Sequence, residues 1–152
     1  MRIVIVGPGR AGMSLAMAFA AAGHDIVAVV GRTAESAEHG AALVGSTALT
    51  LDDGLPPADL LIISVRDGLI GSIAGALAER QPEAGAAIHV SGLTSVDALA
   101  PLAAIGISTG SFHPLQTLPT PEAGAARLRG AHIAVTADLP LREELGDLAR
   151  DI

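Results

Sequence analysis

Gly7-Pro8-Gly9-Arg10-Ala11-Gly12 fits the spacing G-x-G-x-x-G. That spacing suits a turn that holds backbone against phosphate. The first glycine allows the tight turn, the second lets the chain approach a pyrophosphate, and the third lets the next helix pack close to the strand before it. A helix N-terminus placed there adds free N–H groups and a positive dipole end. The pattern by itself is weak and carries meaning only between a strand and a helix. Further on, Gly31-Arg32-Thr33 could receive a second phosphate, the guanidinium by paired bonds and the hydroxyl by one more. Thr33 serves equally well as the N-cap of a following helix. No Asp or Glu stands there to accept from a ribose hydroxyl, so these residues favour NADP over NAD.

Three further places carry polar groups next to apolar runs. Ser64-Val65-Arg66 follows one such run, and Ser64 and Val65 would lie under a nicotinamide or its ribose, with Arg66 free for an anionic substrate or a phosphate. Ser91-Gly92 follows another; it either brings backbone close to a cofactor or is an ordinary turn. His113, before Pro114-Leu115-Gln116, could orient a substrate carbonyl or donate a proton, or else anchor an irregular loop through a backbone bond. Asp67 reads as a helix N-cap. The histidines at 24, 39, 89 and 132 have no ligand-type spacing, so no metal site is expected, and His24 reads as a surface residue. Ser14 lacks the G-x-S-x-G surroundings of a nucleophile and reads as packing.

The elements that must position these groups alternate. Apolar β-branched runs at 2–6, 26–30, 47–49, 60–65, 86–90, 105–112 and 132–136 read as strands, several of them uniformly apolar, as strands covered on both faces are. Helical spacing falls at 11–22, 34–43, 68–80, from Ser95 to about 103, and 141–151. The segment 114–130, with its prolines and glycines, reads as a surface loop. Strands alternating with helices predict a doubly wound, mostly parallel α/β sheet with helices on both faces, in one domain over 1–152. Ligands of such a sheet bind outside the carboxyl ends of its strands.

Composition removes several classes of chemistry. The chain has 152 residues, 18 of them glycine, half of them apolar, and only Phe19 and Phe112 are aromatic. There is no cysteine, so thiol nucleophiles, disulfides and zinc–thiolate sites are excluded. All nine basic residues are arginine, which excludes lysine Schiff-base chemistry. A net charge of −7 argues against nucleic acid as a partner. Gly7-Pro8-Gly9-Arg10 breaks the apolar start that a signal peptide would need, and no run reaches the ~18 apolar residues of a membrane span. A cytoplasmic protein with a small-molecule substrate and no membrane partner is expected.

The pieces Ile5–Gly12, Val30-Gly31-Arg32, Ile63–Asp67, His89–Gly92 and Gly110–Gln116 together resemble the N-terminal domain of the 6-phosphogluconate dehydrogenase-like oxidoreductases. That group includes pyrroline-5-carboxylate reductases, prephenate dehydrogenases and ketopantoate reductases. Within it the chain is similar to a two-domain Rossmann-like branch, with Arg66 standing where that branch would have proline. The resemblance implies hydride transfer between NADP and a small carbonyl, imine or hydroxy acid, a ketopantoate-like 2-oxo acid among them. It also implies a helical C-terminal domain in the full-length protein that completes the substrate site and forms a homodimer. The apolar face of Leu141, Leu145 and Leu148 is then expected to begin that junction. Two rivals stand beside this reading: a non-catalytic NADP-binding redox sensor or interaction module, and a nucleotide-sugar or flavin protein using the same glycine turn.

Overall fold

The computed structural model describes residues 1–152. Seven strands form one sheet: β1 (Arg2–Val6), β2 (Asp25–Gly31), β3 (Thr47–Thr50), β4 (Ala58–Ile63), β5 (Ala84–His89), β6 (Ser108–Pro114) and β7 (Ile133–Ala137). Their order is β3-β2-β1-β4-β5-β6-β7, parallel throughout except for β7, which runs antiparallel to β6. The helices are α1 (Arg10–Ala21), α2 (Ala34–Val44), α3 (Ile70–Glu79), α4 (Ala100–Ala103), α5 (Pro121–Leu128) and α6 (Leu141–Arg150). Single 3₁₀ turns, Asp67–Leu69 and Val96–Leu99, lead into α3 and α4. No helix is long and apolar enough to cross a membrane.

Strand alternation divides the core between the two faces. Ile3 and Ile5 of β1, with Leu60 and Ile62 of β4, pack with Met13, Leu15 and Phe19 of α1 and the leucines of α6. Val4, Val6, Leu61 and Ile63 point the other way, against Ile70, Ala74 and Leu77 of α3 and Leu102 of α4. The central strands are thus sealed on both sides, which explains their uninterrupted apolar composition. The chain reverses its winding between β1 and β4, so the turns after these two strands part and leave a crevice at their carboxyl ends.

The structure corrects several sequence expectations. Segment 114–130 is not all loop, because it contains α5. Thr120 caps that helix by accepting from Ala123 N, and Pro121 occupies its first turn, where a missing N–H costs nothing. Gly124 presses α5 onto Ser14 of α1, whose hydroxyl donates to the Arg10 carbonyl at 2.7 Å. Asp67 makes no side-chain cap, since it lies inside its 3₁₀ turn rather than before it. Ser64 and Val65 lie beyond the end of β4, and His113 lies within β6 rather than past it. His24 is largely covered, with its ring edge-on to Phe19 and Nε2 3.1 Å from Asp151. Leu141, Leu145 and Leu148 are buried against this domain's own sheet, so they begin no junction; α6 spends its apolar face covering β6 and β7.

Candidate functional site

The crevice at the carboxyl edge is a cleft of about 1190 Å³. Its base is the glycine turn. Gly7 has φ +103, and a Cβ there would stand 2.3 Å from the Ser64 carbonyl oxygen. Its N–H donates to the Val30 carbonyl at 2.9 Å, so the turn is held between β2 and β4. A Cβ on Gly12 would meet the Gly7 carbonyl oxygen at 2.4 Å, whereas a Cβ on Gly9 would meet nothing within 4 Å and would enter the cleft. Pro8 is wedged from behind, since Gly40 of α2 lies against it.

The N-termini of α1 and α2, both at the cleft, differ in a way that matters for anions. Thr33 and Ser36 form a reciprocal capping box on α2, with Ser36 N donating to Thr33 Oγ1 at 3.2 Å. At α1 the N-cap is Gly9, no side chain caps the turn, and no acidic residue lies in it. The first-turn N–H groups of α1 therefore need an acceptor from outside the chain. Arg10, Arg32 and Arg66 line the same cleft, and none is in an ion pair. A third of the cations of an acidic chain thus face one cavity unneutralised.

Of the residues singled out from sequence, the structure gathers Gly7, Pro8, Gly9, Arg10, Ala11, Gly31, Arg32, Ser64, Val65, Arg66, Ser91, Gly92 and His113 on the cleft wall. Gly12 and Thr33 are not on it: Gly12 is buried beneath the turn, and Thr33 is engaged in its capping box. Sequence reasoning missed Ser36, Thr50, Leu51 and Asp52, which surround the Arg32 end. The carboxyl-edge rule applied to the short β3 would have found the last three. It also missed Leu69 and Ile73, which fall in the 68–80 segment read only for its helical spacing and which both line the cleft. Asp53 stands in the turn that follows β3. Its carboxylate accepts from Thr50 N at 2.7 Å and Thr50 Oγ1 at 2.8 Å, and these bonds hold its pKa below the ordinary value.

At the opposite end of the cleft, Ser91 Oγ accepts from Leu93 N and Thr94 N and so shapes the turn after β5. His113 Nδ1 lies 3.0 Å from the Val90 carbonyl oxygen. A carbonyl only accepts, so Nδ1 carries the proton and Nε2 is the free nitrogen. A Cβ on Gly92 would fall 2.6 Å from Nε2. Gly92→Ala is therefore expected to push the ring off Val90 and cost about 1–3 kcal/mol in a urea titration. The His113 imidazole NMR signals should shift with it. Unchanged signals would show that the ring has room to spare.

His89, at the end of β5, is fully buried, and neither ring nitrogen has a hydrogen-bond partner. Desolvation lowers its pKa, outweighing the raising effects of the Ser95 backbone and of Asp67. The unfolded chain therefore takes up this proton at a higher pH than the folded one. Stability should fall as pH drops through the ordinary value near ~6.5, by up to ~1.4 kcal/mol per pH unit, until the lowered folded value is reached. Denaturation between pH 7.5 and 5.5 should show this slope, and His89→Leu should flatten it.

A doubly wound sheet with a glycine-turn cleft at its switch point defines a Rossmann-type ligand-binding domain. Residues 1–114 match the Rossmann-like domain family, and the chain belongs to that family. A Bacteroides fragilis protein described as a candidate NADP oxidoreductase overlays 99% of this chain and 57% of its own, with TM-score 0.80 and 24% identity. Prephenate dehydrogenase from A. aeolicus, solved with hydroxyphenyl propionate and NAD+, overlays 99% and 57%, with TM-score 0.73 and 18% identity. A pyrroline-5-carboxylate reductase from Coxiella burnetii overlays 99% and 56%, with TM-score 0.74 and 15% identity. Two of the three enzyme groups named from the sequence pieces thus share this fold. The chain spans little more than half the length of each of these proteins. No curated protein sequence matches it.

Proposed function

We propose that the chain is the cofactor domain of an NADP-dependent oxidoreductase acting on a small carbonyl, imine or hydroxy-acid substrate in the cytoplasm. The observation that carries this reading is the uncapped N-terminus of α1 under an open Gly9, facing three unpaired arginines. These residues fit a dinucleotide. Gly9, Arg10 and Ala11 would hold the pyrophosphate on backbone N–H groups, with the Arg10 side chain beside it. Arg32 would take the 2′-phosphate, with Ser36 next to it on the wall. Ser64, Val65 and the Ser91-Gly92 turn would bound the nicotinamide half. The bound nicotinamide supplies the hydride chemistry.

His113 would act on the substrate through Nε2. The Val90 bond fixes the ring, so neutral Nε2 accepts a proton from a hydroxyl and protonated Nε2 donates one to a carbonyl oxygen. Arg66 would hold an anionic group on the substrate, and a 2-oxo acid suits that pair. In the same reading, chain of the kind these relatives carry beyond the overlaid part closes over substrate and pairs two copies as a homodimer.

Titration with NADPH and NADH, read by cofactor fluorescence, tests the reading directly. The chain has neither Trp nor Tyr to obscure the signal. Saturable NADPH binding tighter than NADH supports it, and no binding of either removes it. Turnover of 2-oxo acids or cyclic imines by the whole protein then tests the chemistry. Tight NADPH binding without any turnover there would favour the sensor reading instead.

A further inference from the structure

Val90 and Gly92, in the turn after β5, both meet the His113 ring. The Val90 carbonyl oxygen lies 3.0 Å from Nδ1, and a Cβ on Gly92 would fall 2.6 Å from Nε2, 2.8 Å from Cδ2 and 2.9 Å from Cε1. Ser91 stands between these two residues. Its Oγ accepts from Leu93 N at 3.1 Å and from Thr94 N at 3.0 Å, and it donates to Thr94 Oγ1 at 3.0 Å. A hydroxyl has one hydrogen and two lone pairs. All of them are spent inside the turn, so Ser91 keeps no bond for a ligand even though it lines the cleft with His113. Little else fixes this stretch. The ladder between β5 and β6 ends at His89 and Ser111, and residues 90–94 make no loop backbone–backbone bond. The serine hydroxyl is therefore what sets the path of the chain on either side of the imidazole.

We propose that Ser91 is a positioning residue for His113, acting through Val90 and Gly92 and not by contact with a ligand. Its hydroxyl bonds set the turn. The Val90 carbonyl then holds the proton on Nδ1, and the Gly92 backbone limits the directions from which a substrate reaches Nε2. The proposal rests on the role given to His113 above.

Two substitutions test it. Ser91→Ala removes the hydroxyl, whereas Ser91→Asn keeps an acceptor, because an Asn side chain bonds the backbone two residues on. In the isotope-labelled, ligand-free chain at alkaline pH, the His113 ring nitrogen signals should show the proton on Nδ1. In Ser91→Ala they should move towards those of a free imidazole that exchanges tautomers, and in Ser91→Asn they should return. NADPH affinity should stay within about threefold in both variants. Turnover by the whole protein of the 2-oxo acid or imine it reduces should fall about tenfold or more in Ser91→Ala and recover in Ser91→Asn. Ring signals that stay in place in Ser91→Ala, or that are displaced equally in Ser91→Asn, overturn the proposal. So does a loss of NADPH affinity of about tenfold in both variants, which would make the hydroxyl itself a ligand contact. If Ser91→Ala does not fold, Ser91→Asn carries the test, with ring signals and NADPH affinity expected to match the unaltered chain. The ring measurement needs no cofactor. An unaltered chain that binds no NADPH would therefore remove the nucleotide reading, while the ring signals alone decide whether Ser91 positions His113.

Discussion

Gly9→Val is expected to abolish NADPH binding and leave the fold standing, whereas Gly7→Ala and Gly12→Val are expected to damage the fold itself. The three glycines share one motif but differ in what surrounds them. A side chain on Gly9 points into empty cleft, and its backbone, at φ −80 and ψ 179, is open to any residue. Valine there is a poorer N-cap than glycine, which costs no more than about 1 kcal/mol. It would occupy the space that a pyrophosphate needs, so affinity should fall by at least about a hundredfold, the loss of ~2.7 kcal/mol or more. Gly7→Ala combines a left-handed backbone with a Cβ 2.3 Å from a carbonyl oxygen. Strain and overpacking together should cost about 2–5 kcal/mol, a large part of a typical domain's stability. Gly12→Val meets the Gly7 carbonyl and the Ile5 side chain and belongs with Gly7. Paired urea and NADPH titrations on the three variants give the comparison. A Gly9→Val chain that binds normally would place the pyrophosphate elsewhere.

Arg32→Asp is expected to reverse the cofactor preference. Arg32 is exposed, unpaired and at the end of β2, with Ser36 and Thr50 beside it on the wall. Charge-assisted bonds to a 2′-phosphate are worth ~1.5–3 kcal/mol, so the substitution should weaken NADPH by roughly tenfold to a hundredfold. The new carboxylate repels the phosphate. For NADH the same carboxylate accepts from the ribose hydroxyls, and binding should tighten. Arg32→Gln separates the two effects, since it should lose NADPH affinity without gaining NADH affinity. Equal affinity of the unaltered chain for both cofactors would remove the role given to Arg32.

Much of this was legible in the chain before any coordinates. Uniformly apolar runs such as 3–6 and 60–63 have a single stable use, as central strands covered on both faces. Glycine spacing between such a run and a helix then marks the turn, and the carboxyl-edge rule points to Ser64, Ser91 and His113 without side-chain geometry. What escaped was set by contacts between residues far apart. Helix α5 was hidden because prolines and glycines at 114–130 read as a loop; Thr120 and Pro121 are helix-start signals, but only packing against Ser14 at Gly124 makes that short segment a helix.

Local pattern therefore determined the sheet, the glycine turn and the edge where a ligand would sit, because periodicity and turn chemistry act within a few residues. Tertiary structure decided the rest. It turned the α6 leucines inward, since β6 and β7 needed a cover. It brought Ser36 to the wall. It placed the His113 ring against Gly92 and left His89 buried without a bond. Each of these depends on which surfaces meet once the strands have paired, and no spacing along the chain encodes that meeting.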